Sequence, residues 1–201
     1  MALVIKGSSS GQVTVDVPAA AGTNTLTIPA STGTLALTSQ LAGTIVKIAC
    51  DEITAESTGS GTFSNTGLEV SITPASASNK ILLLATGSIG LNTKAGFRFT
   101  QDNTPVGIGD TPGSNTNRQR VSFKTKLSDL NASQNFVGSC ILSPSSTSEL
   151  TYRLQIEADA DSTWALNRSF NLSNSDDVSH AVTSSYLYAI ELDGSNTTIS
   201  T

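Results

Sequence analysis

From residue 44 onward the chain repeats one device: a short run in which apolar and polar side chains alternate, closed by Gly, Pro, Asn, Asp or Ser. A period of two is the period of a strand, because successive side chains leave opposite faces of a sheet. The runs are TIVKIACD (44–51), FSNTGLEVSIT (63–73), NKILLLATGSIG (79–90), FRFTQD (97–102), RVSFKTKL (120–127), SQNFVGSCILS (133–143), LTYRLQIEAD (150–159), STWALNRSF (162–170) and AVTSSYLYAIELD (181–193). No stretch keeps a 3.6-residue period over helical length, and DEITAES (51–57) offers one turn at most. STGSG (57–61) reads as a Gly/Ser turn, and residues 103–117 read as a long Gly/Pro-rich loop. The four apolar residues of ILLL (81–84) predict a central strand covered on both faces. Many short strands with turn chemistry between them predict an all-β protein: an antiparallel β-sandwich of jelly-roll type over residues 43–201.

Residues 1–40 follow a different rhythm. VTVDV (13–17), TLTI (25–28) and TLALT (34–38) alternate, with Gly11, Pro18, Gly22, Pro29 and Gly33 beside them. The apolar positions Val13, Val15, Val17, Leu26, Ile28, Leu35 and Leu37 are small or aliphatic, and no aromatic ring accompanies them. At about 25 cal/mol per Å² of apolar area, such short strands do not offset the entropy of ordering their own backbone. The segment is expected to gain stability from something it packs on, and these seven residues are the candidate assembly contacts.

Charge narrows the function classes. Only 13% of residues are charged, the net charge is −5, and no run of Lys and Arg exists, so an electrostatic grip on nucleic acid is not expected. Hydrophobic residues make up 37%, too many for a disordered chain of low net charge. MALVIKGSSS has neither the form of a signal peptide nor the length of a membrane span, so no membrane insertion is expected. Cys50 and Cys140 stand far apart with no CxxC; a buried pair of free thiols is the plain reading, and one disulfide the alternative.

No catalytic set emerges. His180 is the single histidine, near Asp176 and Asp177, and no GxSxG elbow precedes it. A solvated strand-edge histidine is the reading adopted, and the chain is expected not to be an enzyme and to need no cofactor. In EADAD (157–161) alternation sets Glu157, Asp159 and Asp161 on one face, where three carboxylates could hold Ca²⁺; the competing reading is a solvated strand end. Trp164 and Tyr152 are candidates for a sugar-binding surface, whereas Tyr186 and Tyr188 share a strand face suited to a core or a subunit boundary. Arg98, Arg153 and Arg168 interrupt apolar patterns and would face outward in a monomer or bridge subunits in an oligomer. Asn131, Asn167, Asn171 and Asn196 lie in N-x-[ST] triplets, which a chain this rich in Ser and Thr produces by chance. The loop 103–117 and the turn 143–148 are where binding residues would sit on such a scaffold.

Two stretches resemble structural proteins of tailed bacteriophages, especially marine ones. GSSSGQVTVDVPAAAGTNTLTIPASTGTLAL, within residues 7–38, is similar to their amino-terminal module through its P-A…G-T-x-T-L…P-A…G-T-L skeleton. GLEVSITPASASNKILLLATGSIG, SPSSTSELTYRLQIEAD, NRSF and SSYLYAIELD resemble a β-domain of phage fibre and appendage proteins, with Asn79 in place of the usual small polar residue before Lys80. The resemblance implies a virion structural protein, a tail fibre or appendage, attached by residues 1–40 to other virion proteins. It implies a trimeric jelly-roll head that meets a glycan or protein of the host surface. A capsid decoration or head-fibre protein is the first alternative, and a monomeric carbohydrate-binding module the second. No catalytic residue comes with the resemblance.

Overall fold

The computed structural model describes residues 3–6, 12–15 and 45–197, apart from 112, 115–117, 128, 160–161, 172–181 and 196. The chain divides into two compact units, Met1–Leu37 and Thr38–Thr201. In the first, β1 (Leu3–Lys6) pairs antiparallel with β2 (Gln12–Val15), Leu3 opposite Val15. Strand β1 is one that the rhythm of residues 1–40 does not announce. Val13 and Val15 lie in β2; Val17, Leu26, Ile28, Leu35 and Leu37 lie outside the described residues.

The second unit is an antiparallel β-sandwich of jelly-roll type, with no helix among the described residues. Its first sheet runs β3 (Ile45–Ile53), β13 (Ser185–Leu192), β6 (Lys80–Leu91), β12 (Thr163–Leu166), β4 (Ser57–Ser60), with β10 (Gln134–Leu142) on the other edge of β6. The second runs β5 (Ser64–Ile72), β11 (Leu150–Ala158), β7 (Lys94–Gln101), and β7 then carries both β8 (Thr104–Val106) and β9 (Phe123–Lys126). Ladders such as β5–β11 and β6–β13 join strands far apart in sequence, so the fold is held by long-range pairing.

The alternation delivers the core. Leu68, Val70 and Ile72 of β5, Phe97 and Phe99 of β7, and Tyr152, Leu154 and Ile156 of β11 point inward from one sheet. Ile81, Leu83 and Ala85 of β6, with Leu187 and Ala189 of β13, answer them from the other. Phe97 stacks on Phe123 with centroids 4.5 Å apart, and Phe136 closes the cluster. Gly138 leaves room for that stack, since a Cβ there would stand 1.9 Å from a Phe123 ring carbon. STGSG is not a turn: its first four residues form β4, because Gly59 must lie flat beneath Trp164, whose Cζ2 would be 2.4 Å from an added Cβ. DEITAES likewise gives no helical turn, its first residues completing β3.

Two buried polar knots fasten the ends of the strands. Asn167, fully buried with φ at 65°, donates from Nδ2 to the carbonyls of Ile53 (2.8 Å) and Ala55 (2.9 Å), and its Oδ1 accepts from Ser185 Oγ (2.6 Å). A left-handed residue that also bridges three segments is a natural place for Asn. Asn167→Ala strips partners from buried groups that each cost about 1–3 kcal/mol when unpaired. The variant should lose roughly 3 kcal/mol, read as a lower urea midpoint at unchanged m-value. At the other end Glu191, fully buried, accepts at Oε1 from Asn79 Nδ2 (2.6 Å) and from the Ala75 amide (2.7 Å). Asn79 Oδ1 in turn accepts from Gly194 N at 3.1 Å, so this one side chain ties the β5–β6 turn to the end of β13.

Candidate assembly face

The two sheets turn very different surfaces outward. On the first, the register lines up three rows of outward side chains across β10, β6, β13 and β3. Ile141, Leu82, Ile190 and Ile48 form the first row; Ser139, Leu84, Tyr188 and Cys50 the second; Val137, Thr86, Tyr186 and Glu52 the third. Glu52 is the one charged side chain of these rows, and it accepts from Tyr186 Oη at 2.7 Å. Tyr186 and Tyr188 stack with centroids 6.1 Å apart. Ile48 is 57% exposed, Val137 69% and Ile141 43%, and Ile45 and Val46 extend the patch along β3. On the second sheet the outward positions that reach solvent hold Glu69, Arg153, Gln155, Arg98 and Glu157.

This asymmetry follows from β6 and β13. ILLL supplies apolar residues to both faces of β6, and only one of those faces meets the second sheet. Leu83 is fully buried while Leu82 and Leu84 are half-buried on the open side. The cover expected on both faces is therefore present on one. In β13 the inward set is Ser185, Leu187, Ala189 and Glu191, and the larger set, Tyr186, Tyr188 and Ile190, faces out. A strand that buries its small and charged residues and exposes its rings has an apolar surface left to cover.

The sequence-derived site candidates separate in space. Trp164 and Tyr152 are core residues, 1% and 0% exposed, so neither presents a ring face to a sugar. Both sit in alternating strands whose inward parity they share with aliphatic neighbours. Tyr152 Oη donates to Gln101 Oε1 at 3.3 Å, and burial holds its phenol above the usual range. Glu157 and Asp159 do not converge. Glu157 Oε1 accepts from Gln119 Nε2, and Asp159 pairs with Lys94 Nζ at 3.2 Å beyond the end of β11. Asp161 and His180 lie outside the described residues, among which no three His, Cys, Asp or Glu side chains group as metal ligands. Asn167 is too deeply buried for a modification enzyme, and Asn131 and Asn171 hydrogen-bond to each other (2.8 Å).

Neither cysteine is buried with the other. Cys50 is exposed in the middle of the apolar face and Cys140 is half-buried in β10, packed against the core, both free. Burial pushes the Cys140 thiol up to about 12, which leaves it protonated and unreactive near neutrality. Arg153 pairs with Glu69 and reaches Asn103 Oδ1 at 3.0 Å. Arg168 follows β12 rather than lying in a strand; it is nearly buried, pairs with Glu56 at 2.9 Å and donates to the Ser169 and Phe170 carbonyls. No protein-family model matches the chain, and no curated protein is significantly similar to it.

Proposed function

We propose that the chain is a structural subunit of a bacteriophage virion, of tail-fibre or appendage type, whose β-sandwich assembles with copies of itself through the outer face of the first sheet. The observation that supports assembly is the contrast between the two outer faces: aliphatic and aromatic rows on one, charged and amide side chains on the other. A soluble single chain rarely leaves a contiguous sheet face of this kind open. Apolar interfaces enriched in Tyr and poor in Lys and Glu at their centre are the pattern of permanent subunit contacts. The phage assignment, the number three and the docking role of residues 1–40 come from the sequence resemblance. A closed ring of three brings the apolar faces together around one axis and leaves no open surface for further growth.

The test is the mass in solution by light scattering, for the full chain and for a chain beginning at Gly43. Three copies in both cases are expected, with residues 1–40 then free to dock on other virion proteins. A single copy in both cases refutes assembly and moves a capsid-surface protein or a lone sugar-binding domain ahead. A trimer of the full chain alone transfers the contact to residues 1–40.

A further inference from the structure

We infer that a cleft on the outer face of the second sheet binds an acidic saccharide through Arg98, Arg118 and Arg120, with the sugar carboxylate as the recognised group. The cleft has a volume of about 560 Å³, within the size range of small-ligand sites. It lies on the sheet opposite the apolar face, so it stays open to solvent when subunits associate, and either reading can fail without the other.

Arg98 sits on β7 opposite Gln155 of β11. Its guanidinium carbon lies 3.8 Å from the centroid of the Phe63 ring, and its Nε donates to Gln155 Oε1 at 2.8 Å. Stacking and the Nε bond fix the plane of the fork, and no hydrogen bond among the described residues engages its two terminal amines. Arg120 is held in the same way, Nε to the Gly109 carbonyl at 2.6 Å, again leaving its terminal amines unengaged among the described residues. Arg118 stands beside it, exposed. Three of the chain's 11 basic side chains thus line one cleft in a protein of net charge −5. The facing carboxylate is Glu157, and its Oε1 is already bonded to Gln119. The water stripped from Arg98 by its surroundings lowers its pKa, with Glu157 opposing; a group so placed gains from a bound anion.

The ligand class follows from the rest of the lining. Two terminal amines of a fixed guanidinium match the two oxygens of a carboxylate in one plane. Pro105 and Ile108 supply an apolar strip beside Phe63, suited to the C–H face of a sugar ring. Gln119, exposed and donating one N–H to Glu157 Oε1, keeps its second N–H and its amide oxygen for hydroxyls. A free phosphate would use the arginines and leave the apolar strip uncovered. A monoanionic sugar satisfies all three features.

The experiment is calorimetric titration of the full chain with trisaccharides carrying galacturonate, glucuronate or sialate, with their methyl esters and with inorganic phosphate. At least one acidic trisaccharide should saturate, and its neutral ester should bind about tenfold or more weakly, since charge-assisted bonds carry the contact. Arg98→Gln and Arg120→Gln should each weaken binding by about tenfold or more while circular dichroism stays that of the native protein. Arg120 lies in an exposed segment, so its variant carries the test should Arg98→Gln unfold. Absence of saturation by all three sugars, equal binding of acid and ester, or phosphate binding as tightly as the sugar would each overturn the inference.

Discussion

Leu83→Asp is expected to yield no folded protein. Leu83 is fully buried in β6, with Cys140 of β10 on one side of it in the ladder and Ala189 of β13 on the other. Removing a buried leucine costs about 2–5 kcal/mol. The aspartate adds several kcal/mol for a carboxylate with no partner in the core, whether it stays charged or takes up a proton. Together these approach the whole stability of a domain, about 5–15 kcal/mol. The informative control is its neighbour. Leu82→Asp points to the opposite, open face, where water can reach the carboxylate, so the variant should stay folded and unfold cooperatively in urea. Loss of near-ultraviolet circular dichroism and of soluble yield for the first, with retention for the second, is the expected pair. A folded Leu83→Asp protein, or a Leu82→Asp protein that fails equally, would mean that the inward and outward parity of β6 is misassigned.

Parity is also where the sequence was hardest to read. Period-two alternation located nine of the strands in the second unit, and those runs became β3, β5, β6, β7 and β9 to β13. Alternation tells which residues share a face; it does not say which face is covered when both are apolar. In β13 hydrophobicity alone would bury Tyr186, Tyr188 and Ile190, and the sandwich instead buries Leu187, Ala189 and Glu191. Asn79 and the Ala75 amide meet one of the two Glu191 carboxylate oxygens, and these partners lie more than a hundred residues away in sequence. The departure from the resembled pattern at Asn79 is thus the residue that serves a buried carboxylate. Strands β4 and β8 were hidden for local reasons. Ser, Thr and Gly in STGS read as a turn until Trp164 is known to need Gly59 beneath it. Pro105 reads as loop, although proline is acceptable at a sheet edge. Trp164 and Tyr152 look like surface rings in a search for sugar-binding aromatics, while their strand parity sends them inward. Arg98 carried a visible signal, a charge inside an apolar run. Its convergence with Arg118 and Arg120 was not legible, because the alternating run that begins at residue 120 becomes strand only from Phe123 and leaves Arg120 ahead of β9.

Ile48→Asp and Val137→Asp should each convert the assembled protein to single chains without loss of fold. The two positions are 57% and 69% exposed, so within one chain the carboxylates remain hydrated and the sandwich loses little. In a covered face the same carboxylates lose their water and find no cation, since none of the three rows supplies Lys or Arg. An unpaired buried charge costs about 3–5 kcal/mol, and a ring of three holds three of them. That sum rivals the association free energy of a micromolar to nanomolar complex, about 8–12 kcal/mol. Cys50 reports the change from inside the same face, in the row with Leu84 and Tyr188. In the native protein assembly should shield it from a thiol reagent at neutral pH, and in either variant it should react at once. Cys140 should react slowly throughout, because burial pushes its thiol up to about 12 and its side chain packs against the core. The decisive comparison is therefore mass and labelling together. Smaller mass with fast Cys50 labelling places the contact on this face. Unchanged mass with Cys50 open in the native protein moves it elsewhere. A native protein that is already a single chain with a reactive Cys50 ends the assembly reading and leaves the apolar rows to a partner other than the chain itself.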